Sequence, residues 1–263
     1  MQKVLHLFCG AEWVLLIGLI FFCLWQPHDP YVVSAADSLH SPSASHWFGT
    51  DRLGRDLYSR TGLALRISVL RAGAAEVASF VAAFALSVLF TMVIRRHRNT
   101  ASLVRLMIRL LPPLLFLFGI AAWARGSTYG PMLGLFALSF CFAWPIFSSE
   151  IEQALRHPYV DGTYALGASP IYVARKAVAP NALPKLLKYA RLDFASLIAY
   201  EAFLGMGGVT HPPQPALGSL IFESRHAIVS NQLWLFLFPS IALALTILLL
   251  SIIKLPQTGT RFS

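Results

Sequence analysis

Residues 156–184 read RHPYVDGTYALGASPIYVARKAVAPNALP, a polar stretch between two long apolar segments. Proline at position 158 is compatible with the start of a helix, because a first-turn N–H has no intrahelical acceptor to lose. Gly167 then interrupts the apolar pattern, and the Ser-Pro pair at 169–170 is typical of the start of a second helix, which must end before Pro180. The stretch therefore predicts two short helices joined by a bend that carries positive charge.

The composition is that of a membrane protein. Hydrophobic residues make up 56% of the chain, charged residues 13%, and the mean hydropathy is +0.63, far from the values of an ordinary soluble domain. The formal net charge is +9, yet the basic residues stand at the ends of apolar segments, with no basic stripe interleaved with aromatics, which argues against nucleic acid as a partner. We therefore expect an all-α polytopic membrane protein in contact with membrane lipid.

Six apolar segments come close to the roughly 20 residues that a helix needs to cross a bilayer. They span residues 4–25, 67–94, 103–124, 131–148, 186–207 and 233–253. Lys and Arg cluster in the loops of one side, which predicts that both termini and the bend at 156–184 are cytoplasmic. On this interpretation the chain divides into a first span with an external loop, a main transmembrane region that contains the bend, and a cytoplasmic tail. Their residues are 1–66, 67–253 and 254–263.

The external loop contains a second motif, HWFGTDRLGRDLYSR, at residues 46–60. Either residue of its Thr-Asp pair can cap a helix, the pairs Asp51–Arg55 and Asp56–Arg60 have i,i+4 spacing, and its leucines share the opposite face. The motif predicts an amphipathic helix along the outer membrane surface, ahead of the second span.

Glu201 lies in the middle of the fifth apolar segment. A carboxylate inside a bilayer is costly unless it faces a cavity or a partner. Two interpretations stay open: a residue of a translocation path, or a protonated residue bonded to a neighbouring helix. The first interpretation suits a channel or an ion-coupled carrier as well as any other transporter.

The motifs of the sequence do not indicate a nucleotide-binding site or an enzyme active site in this chain. Residues 162–169, GTYALGAS, imitate the glycine spacing of a phosphate-binding loop but have Ala168 where such a loop needs lysine, so ATP binding by this chain is not expected. No HExxH or GxSxG motif occurs. The three cysteines lie in apolar segments, which predicts no disulfide.

Several histidines are predicted to lie on the outer side. Their spacing along the chain is not that of a compact ligand set, so no metal site is expected. They are His28, His40, His46, His211 and His226.

Three stretches resemble one protein family. Residues 158–184 resemble the EAA loop of binding-protein-dependent ABC transporter permeases, in the dipeptide, oligopeptide and nickel branch, although Asp161-Gly162-Thr163 stands where Glu-Ala-Ala is usual. Residues 48–56 are similar to the FGTDxxGRD signature of that branch, and residues 204–218 to its glycine- and proline-rich stretch. The resemblance is to the second-permease type of the branch.

The resemblance implies a permease subunit of an ATP-driven importer in the bacterial inner membrane, moving a peptide or a nickel or other metal chelate. It implies a second, non-identical permease, an external solute-binding protein, and two ATPase subunits that use ATP and Mg.

Under this resemblance we expect Glu201 to line the translocation path. The binding protein would dock at Asp51, Arg52, Arg55 and Asp56. The ATPase would contact Tyr159, Asp161, Gly162, Ala165, Leu166, Gly167, Ala168, Ile171 and Arg175. The alternative is an ion-coupled carrier or channel that uses Glu201.

Overall fold

The structure is a computed structural model that describes residues 15–93, 106–108, 110, 112–123, 127, 129–173, 175–176, 179–209, 214–226 and 231–252. Within these residues the regular structure is helical, apart from an isolated bridge between Thr50 and Asp56. Both termini, and so the predicted cytoplasmic tail, fall outside the described residues.

The helices have bounds that can be compared with the six predicted segments. In chain order they are α1 (Leu15–Leu24), α2 (Leu57–Val93), α3 (Pro113–Trp123), α4 (Gly130–Leu155), α5 (Pro158–Ala165), α6 (Pro170–Val173), α7 (Ala179–Met206), α8 (Leu217–Glu223) and α9 (Trp234–Ile252). By length and composition α2, α4 and α9 can each cross a membrane. The described residues thus contain three clear apolar spans.

Each of the six predicted segments overlaps one of these helices, and several of the helices extend beyond the predicted bounds. Helix α2 begins at Leu57 rather than at residue 67, α4 continues to Leu155 rather than to 148, and α7 begins at Ala179 rather than at 186. The apolar pattern marks the part of a helix that lies in hydrocarbon. The backbone hydrogen bonds continue past it into polar sequence, so the pattern alone underestimates helix length.

The prediction of an amphipathic helix over residues 46–60 is wrong for most of that stretch. The chain forms a tight turn closed by hydrogen bonds from Asp51 N to Arg55 O and from Leu57 N to Gly49 O, both 3.0 Å long, and the helix begins only at Leu57. The Asp51 carboxylate accepts the backbone N–H groups of Leu53 and Arg55. An aspartate that binds nearby N–H groups in this way offers the backbone an alternative to the helix.

The long helices pack around α4 and α7. Helix α4 lies along α2 and α3, α7 contacts α2 and α4, and α8 sits between α7 and α9. One buried cluster lies in the middle of the bundle, and a second lies beneath the bend. The middle cluster includes Ala72, Leu117, Leu135, Leu197, Ile198 and Leu204. The cluster beneath the bend includes Phe147, Ile151, Val160, Val173 and Leu186.

Helices α7 and α8 approach each other so closely that one position tolerates only glycine. A Cβ atom added to Gly218 would lie 1.7 Å from the carbonyl oxygen of Ala202 and 2.9 Å from the amide nitrogen of Met206. Both atoms belong to a helix backbone and cannot move aside easily. This contact fixes the segment after α7 against the bundle.

Candidate functional site

The bend between α4 and α7 follows the predicted pattern in its first half. Helix α5 begins at Pro158 as predicted, and Gly167, two residues after the helix ends, has a φ of +84°. Glycine adopts this conformation without the steric penalty of a side chain. A Cβ atom at Gly167 would meet nothing within 4 Å. The turn therefore needs this glycine for its backbone conformation rather than for a contact within the chain.

The second half of the bend is less regular than predicted. Helix α6 covers only Pro170–Val173, while residues 174, 177 and 178 lie outside the described part of the chain. Helix α7 then begins at Ala179, which places Pro180 in its first turn. Proline is tolerated there for the reason that applies at Pro158.

The bend has a buried side and an exposed side. Val160 and Val173 are fully buried and belong to the cluster that includes residues of α4 and α7. On the other side the Leu166 side chain is 90% exposed, and Tyr159 and Tyr172 are each about half exposed. An apolar side chain left in water on a short turn is a strong candidate for burial against a partner.

The predicted coupling residues fall mostly on this exposed side. Gly162, Ala165, Gly167 and Arg175 are exposed, and Ala168 is half-buried. The side chains of Asp161 and Ile171 lie outside the described residues, and the coupling role of the whole set stays a prediction. Arg175 adds positive charge beside the apolar surface.

Glu201 is fully buried within the chain and bonded to α2. Ser68 Oγ donates a hydrogen bond of 2.5 Å to Glu201 Oε2, and Arg71 Nη1 lies 3.4 Å from Glu201 Oε1. Arg71 Nη2 also donates to Gln214 Oε1 at 2.6 Å. The contact with a neighbouring helix that one interpretation of Glu201 requires is therefore present. The role of Glu201 in a translocation path stays a prediction.

A second buried acidic group was missed by the sequence analysis. Ser139 Oγ of α4 lies 3.1 Å from Glu76 Oε2 of α2 and 2.7 Å from Asp193 Oδ2 of α7. A hydroxyl donates one hydrogen, so bonding to both carboxyl groups at once requires that one of them carries a proton. The signal was available, because Glu76 and Asp193 are acidic residues within or beside apolar segments.

The turn at 50–56 is organised around the buried carboxylate of Asp51. Arg55 Nε donates to Asp51 Oδ2 at 2.8 Å, and Arg60 Nη1 contacts the same oxygen. Arg60 was predicted to pair with Asp56; the structure pairs it instead with Asp51 and with Glu223, the latter at 3.6 Å. Asp51 thus links the turn to α2.

The predicted docking residues divide into two groups. Asp51 and Asp56 are only 7% and 3% exposed, so their side chains serve the fold of the turn, and Asp56 Oδ2 accepts the N–H of Ser59 at the start of α2. Arg52 is exposed and Arg55 is half-buried. These two arginines line a cavity of about 490 Å³ together with Arg60, Leu220, Glu223 and Arg225. Charged groups of both signs therefore surround an opening at this end of the bundle.

Two of the predicted outer histidines do come together. One potential ligand atom from each of His28, His46 and Asp56 lies within 4.8 Å of the others. This contact was not anticipated from the sequence, and the expectation of no metal site stays a prediction. The two histidines are far apart along the chain, so their spacing does not reveal the contact. The turn at 50–56 folds the loop back and brings them together. His211 and the side chain of His226 lie outside the described residues.

Comparisons with known proteins agree with this architecture. The family described as "binding-protein-dependent transport system inner membrane component" matches residues 77–254. A putative peptide permease protein of Brucella suis is 30% identical over 91% of this chain and 80% of its own length. A probable D,D-dipeptide transport system permease protein, DdpC, of Escherichia coli is 31% identical over 89% of this chain and 78% of its own.

A solved structure shares the fold. The inward-facing MetNI methionine ABC transporter contains a chain that aligns with a TM-score of 0.52 at 17% identity, covering 71% of this chain and 94% of that one. The extent of the family match and the identity to these relatives establish the class of protein. The chain belongs to the family of binding-protein-dependent transport system inner membrane components, and is a permease component of an ABC importer.

Proposed function

We propose that this chain is one of two permease subunits of an importer for peptide-type solutes, and that residues 156–184 seat in a separate ATPase. The observation that carries the coupling role is the two-sided bend. Its valines are buried in the helical bundle, while Leu166 stands 90% exposed at the tip. A surface that couples two proteins needs this combination, a rigid attachment on one side and an apolar anchor on the other.

Motion of the bend would pass directly into two long helices. Val160 and Val173 pack against residues of α4 and α7, and Lys185 Nζ of α7 lies 2.7 Å from Glu150 Oε2 of α4. Close-packed side chains transmit displacement because they have little free volume to absorb it. ATP-driven closure of two ATPase subunits would therefore shift α4 and α7 together and alternate the access to a central path.

The remaining partners follow from the same proposal. The bend faces the cytoplasm, where two ATPases use ATP and Mg, and the turn at 50–56 faces an external solute-binding protein. Arg52 and Arg55 contribute the charged rim of the cavity on that side. The second permease is a different chain, and the assembly is embedded in a bacterial inner membrane.

Peptide-type cargo is favoured over nickel or another metal chelate. Its support is that the curated relatives include putative peptide permeases and a probable D,D-dipeptide permease. Uptake of labelled dipeptides and of labelled nickel by cells that carry or lack this chain would decide between the two cargo classes.

The family match weighs against the alternative of an ion-coupled carrier, for which the contact between Glu201 and Arg71 is the remaining observation. The two functions differ in their energy source. Uptake that requires a partner ATPase and continues after collapse of the ion gradient supports the importer. Uptake that stops with the gradient supports the carrier.

The coupling role is tested by replacing Leu166 with alanine. The side chain touches little within this chain, so Leu166→Ala leaves insertion and folding unchanged. We expect the affinity for the ATPase to fall by about 2 kcal/mol, or roughly 30-fold, as for an anchor residue at an interface centre. Copurification of the ATPase with the permease measures the loss, and solute uptake should fall with it.

The matched control is Leu248→Ala on α9, another exposed leucine but outside the bend. It should copurify with the ATPase as the unchanged chain does. Equal ATPase binding by Leu166→Ala and Leu248→Ala would refute the assignment of the bend.

A further inference from the structure

Two imidazoles and a carboxylate converge at the end of the bundle opposite the bend. His28 follows α1, His46 belongs to the loop, and Asp56 precedes the first residue of α2. Their potential ligand atoms lie within 4.8 Å of one another, and the two imidazole rings have centroids 4.8 Å apart. Three separate segments of chain therefore meet at one point.

One nitrogen of each ring is placed to bind a metal ion. His28 Nε2 lies 2.9 Å from the carbonyl oxygen of Ser45, and His46 Nδ1 lies 2.9 Å from Asp56 Oδ1. A carbonyl oxygen only accepts, so His28 Nε2 carries the hydrogen and Nδ1 keeps its lone pair. His46 Nδ1 and Asp56 Oδ1 share a hydrogen that a metal ion would displace, so that both of these atoms become ligands. Metal-bound histidines are oriented by a partner behind the ring, and the Ser45 carbonyl has that place behind His28.

From this arrangement we propose a binding site for a divalent transition-metal ion of the Zn²⁺ class, formed by His28, His46 and Asp56. Imidazole nitrogen with one carboxylate is a donor set that suits Zn²⁺, and a fourth position is open to water. Hard ions such as Mg²⁺ prefer oxygen ligands and fit this set poorly.

The three ligand atoms would have to move only slightly closer together to bind the ion. Ligand atoms around a tetrahedral Zn²⁺ are about 3.4 Å apart, as follows from bonds of roughly 2.0–2.1 Å. The largest separation here is 4.8 Å. His28 is exposed and lies on irregular backbone, so a change of its side-chain rotamer can supply the movement. Asp56 is held in place by the N–H of Ser59, and the main chain of His28 is anchored because its N–H donates to Ser59 Oγ at 3.3 Å.

The ion would connect three segments of the chain that an aromatic cluster already holds in contact. Trp25, at the end of α1, has its ring 5.1 Å from that of Trp47 in the loop, and Trp47 lies 5.3 Å from Tyr58 of α2. His28, His46 and Asp56 come from the same three segments. Metal binding would therefore tie the exit of α1 to the start of α2, independently of the cargo that the transporter moves.

The test is Zn²⁺ binding by the purified full-length chain, prepared with an affinity tag that contains no histidine. We expect one Zn²⁺ per chain by titration calorimetry, and an increase in the melting temperature with free Zn²⁺. His28→Ala and His46→Asn should each weaken binding by about tenfold or more, since even residues behind the ligands contribute 10- to 100-fold. His40→Ala, in the same loop but outside the cluster, should bind as the unchanged chain does.

The His28→Ala variant decides the test, because His28 is exposed and its replacement by alanine leaves the packing intact. Asparagine at 46 can keep a donor towards Asp56 while removing the ring nitrogen that would bind the ion, and the melting temperature of this variant without metal checks the fold. Zn²⁺ binding by His28→Ala with unchanged affinity would overturn the site. Loss of binding in His40→Ala to the same extent would also overturn it, since the loop histidines would then act without a defined geometry.

Discussion

A single buried carboxylate holds the turn at 50–56 together. Asp51 accepts hydrogen bonds from the backbone N–H groups of Leu53 and Arg55 and contacts the guanidinium groups of Arg55 and Arg60. Arg60 is only 5% exposed. An isosteric Asp51→Asn change would leave that buried cation with Glu223, 3.6 Å away, as its remaining ion-pair partner in the described structure.

We therefore expect Asp51→Asn to lower the free energy of unfolding by about 3 kcal/mol, the usual result of removing one partner of a buried ion pair. Thermal unfolding of the purified chain in detergent measures the effect. Asp29→Asn is the control, since Asp29 is exposed and should change stability by roughly 0.5 kcal/mol or less. Equal melting temperatures for the two variants would contradict the role of Asp51.

Other single residues show how far sequence reasoning reaches. Glu201 could be selected from the sequence because a carboxylate in an apolar segment needs a partner. Its partners Ser68 and Arg71 could not, because they lie more than a hundred positions earlier and only the packing of α2 on α7 brings them close. The same holds for Glu76 and Asp193. A sequence shows which groups need partners, and the fold decides which partners they receive.

At the level of helices, α7 and α8 are in such close contact that position 218 must be glycine. A methyl group there would lie 1.7 Å from the carbonyl oxygen of Ala202. Gly218→Ala must therefore push the two helices apart or distort one of them. We expect a loss of about 3 kcal/mol in the free energy of unfolding, the upper part of the usual range for overpacking.

The matched control for this change is Gly119→Ala in α3. A Cβ atom at Gly119 meets nothing within 4 Å, so alanine there should be neutral or stabilise the helix by roughly 0.5–1 kcal/mol. Gly218→Ala should lower the melting temperature in detergent, and Gly119→Ala should leave it unchanged or raise it. A Gly218→Ala chain as stable as the parent would mean that the helices separate at no cost.

The helices themselves were largely predictable, and their ends were not. Apolar length identified segments that overlap α2, α4, α7 and α9, and Gly167 with the prolines identified the bend. The helix expected over 46–60 failed because the Asp51 side chain competes with the backbone for N–H groups, a contact that periodicity does not represent. Helix ends depend on local hydrogen bonds of this kind, so they require the structure.

For the molecule as a whole, the long helix α2 presents a groove that the described part of the chain leaves open. The groove has a volume of about 900 Å³ and is lined mostly by small or β-branched residues, namely Val69, Leu70, Gly73, Ala74, Val77, Ala78, Val81, Ala82, Ala85 and Phe194. Ala74, Ala78 and Ala82 are spaced four apart, on one face of the helix. Small residues with this spacing let a second transmembrane helix approach closely. We expect the second permease subunit to occupy this groove.

Ala78→Leu tests that expectation at the level of the assembly. Ala78 is exposed in the isolated chain, so leucine there leaves its fold intact while filling the space that a partner helix requires. Overpacking of roughly 1–3 kcal/mol should reduce copurification of the second permease by about fivefold or more. Ala244→Leu on α9, also exposed, adds the same side chain on another face and should leave the assembly unchanged. Equal recovery of the second permease with both variants would show that the groove faces lipid, and the subunit interface would then have to lie on a different helix.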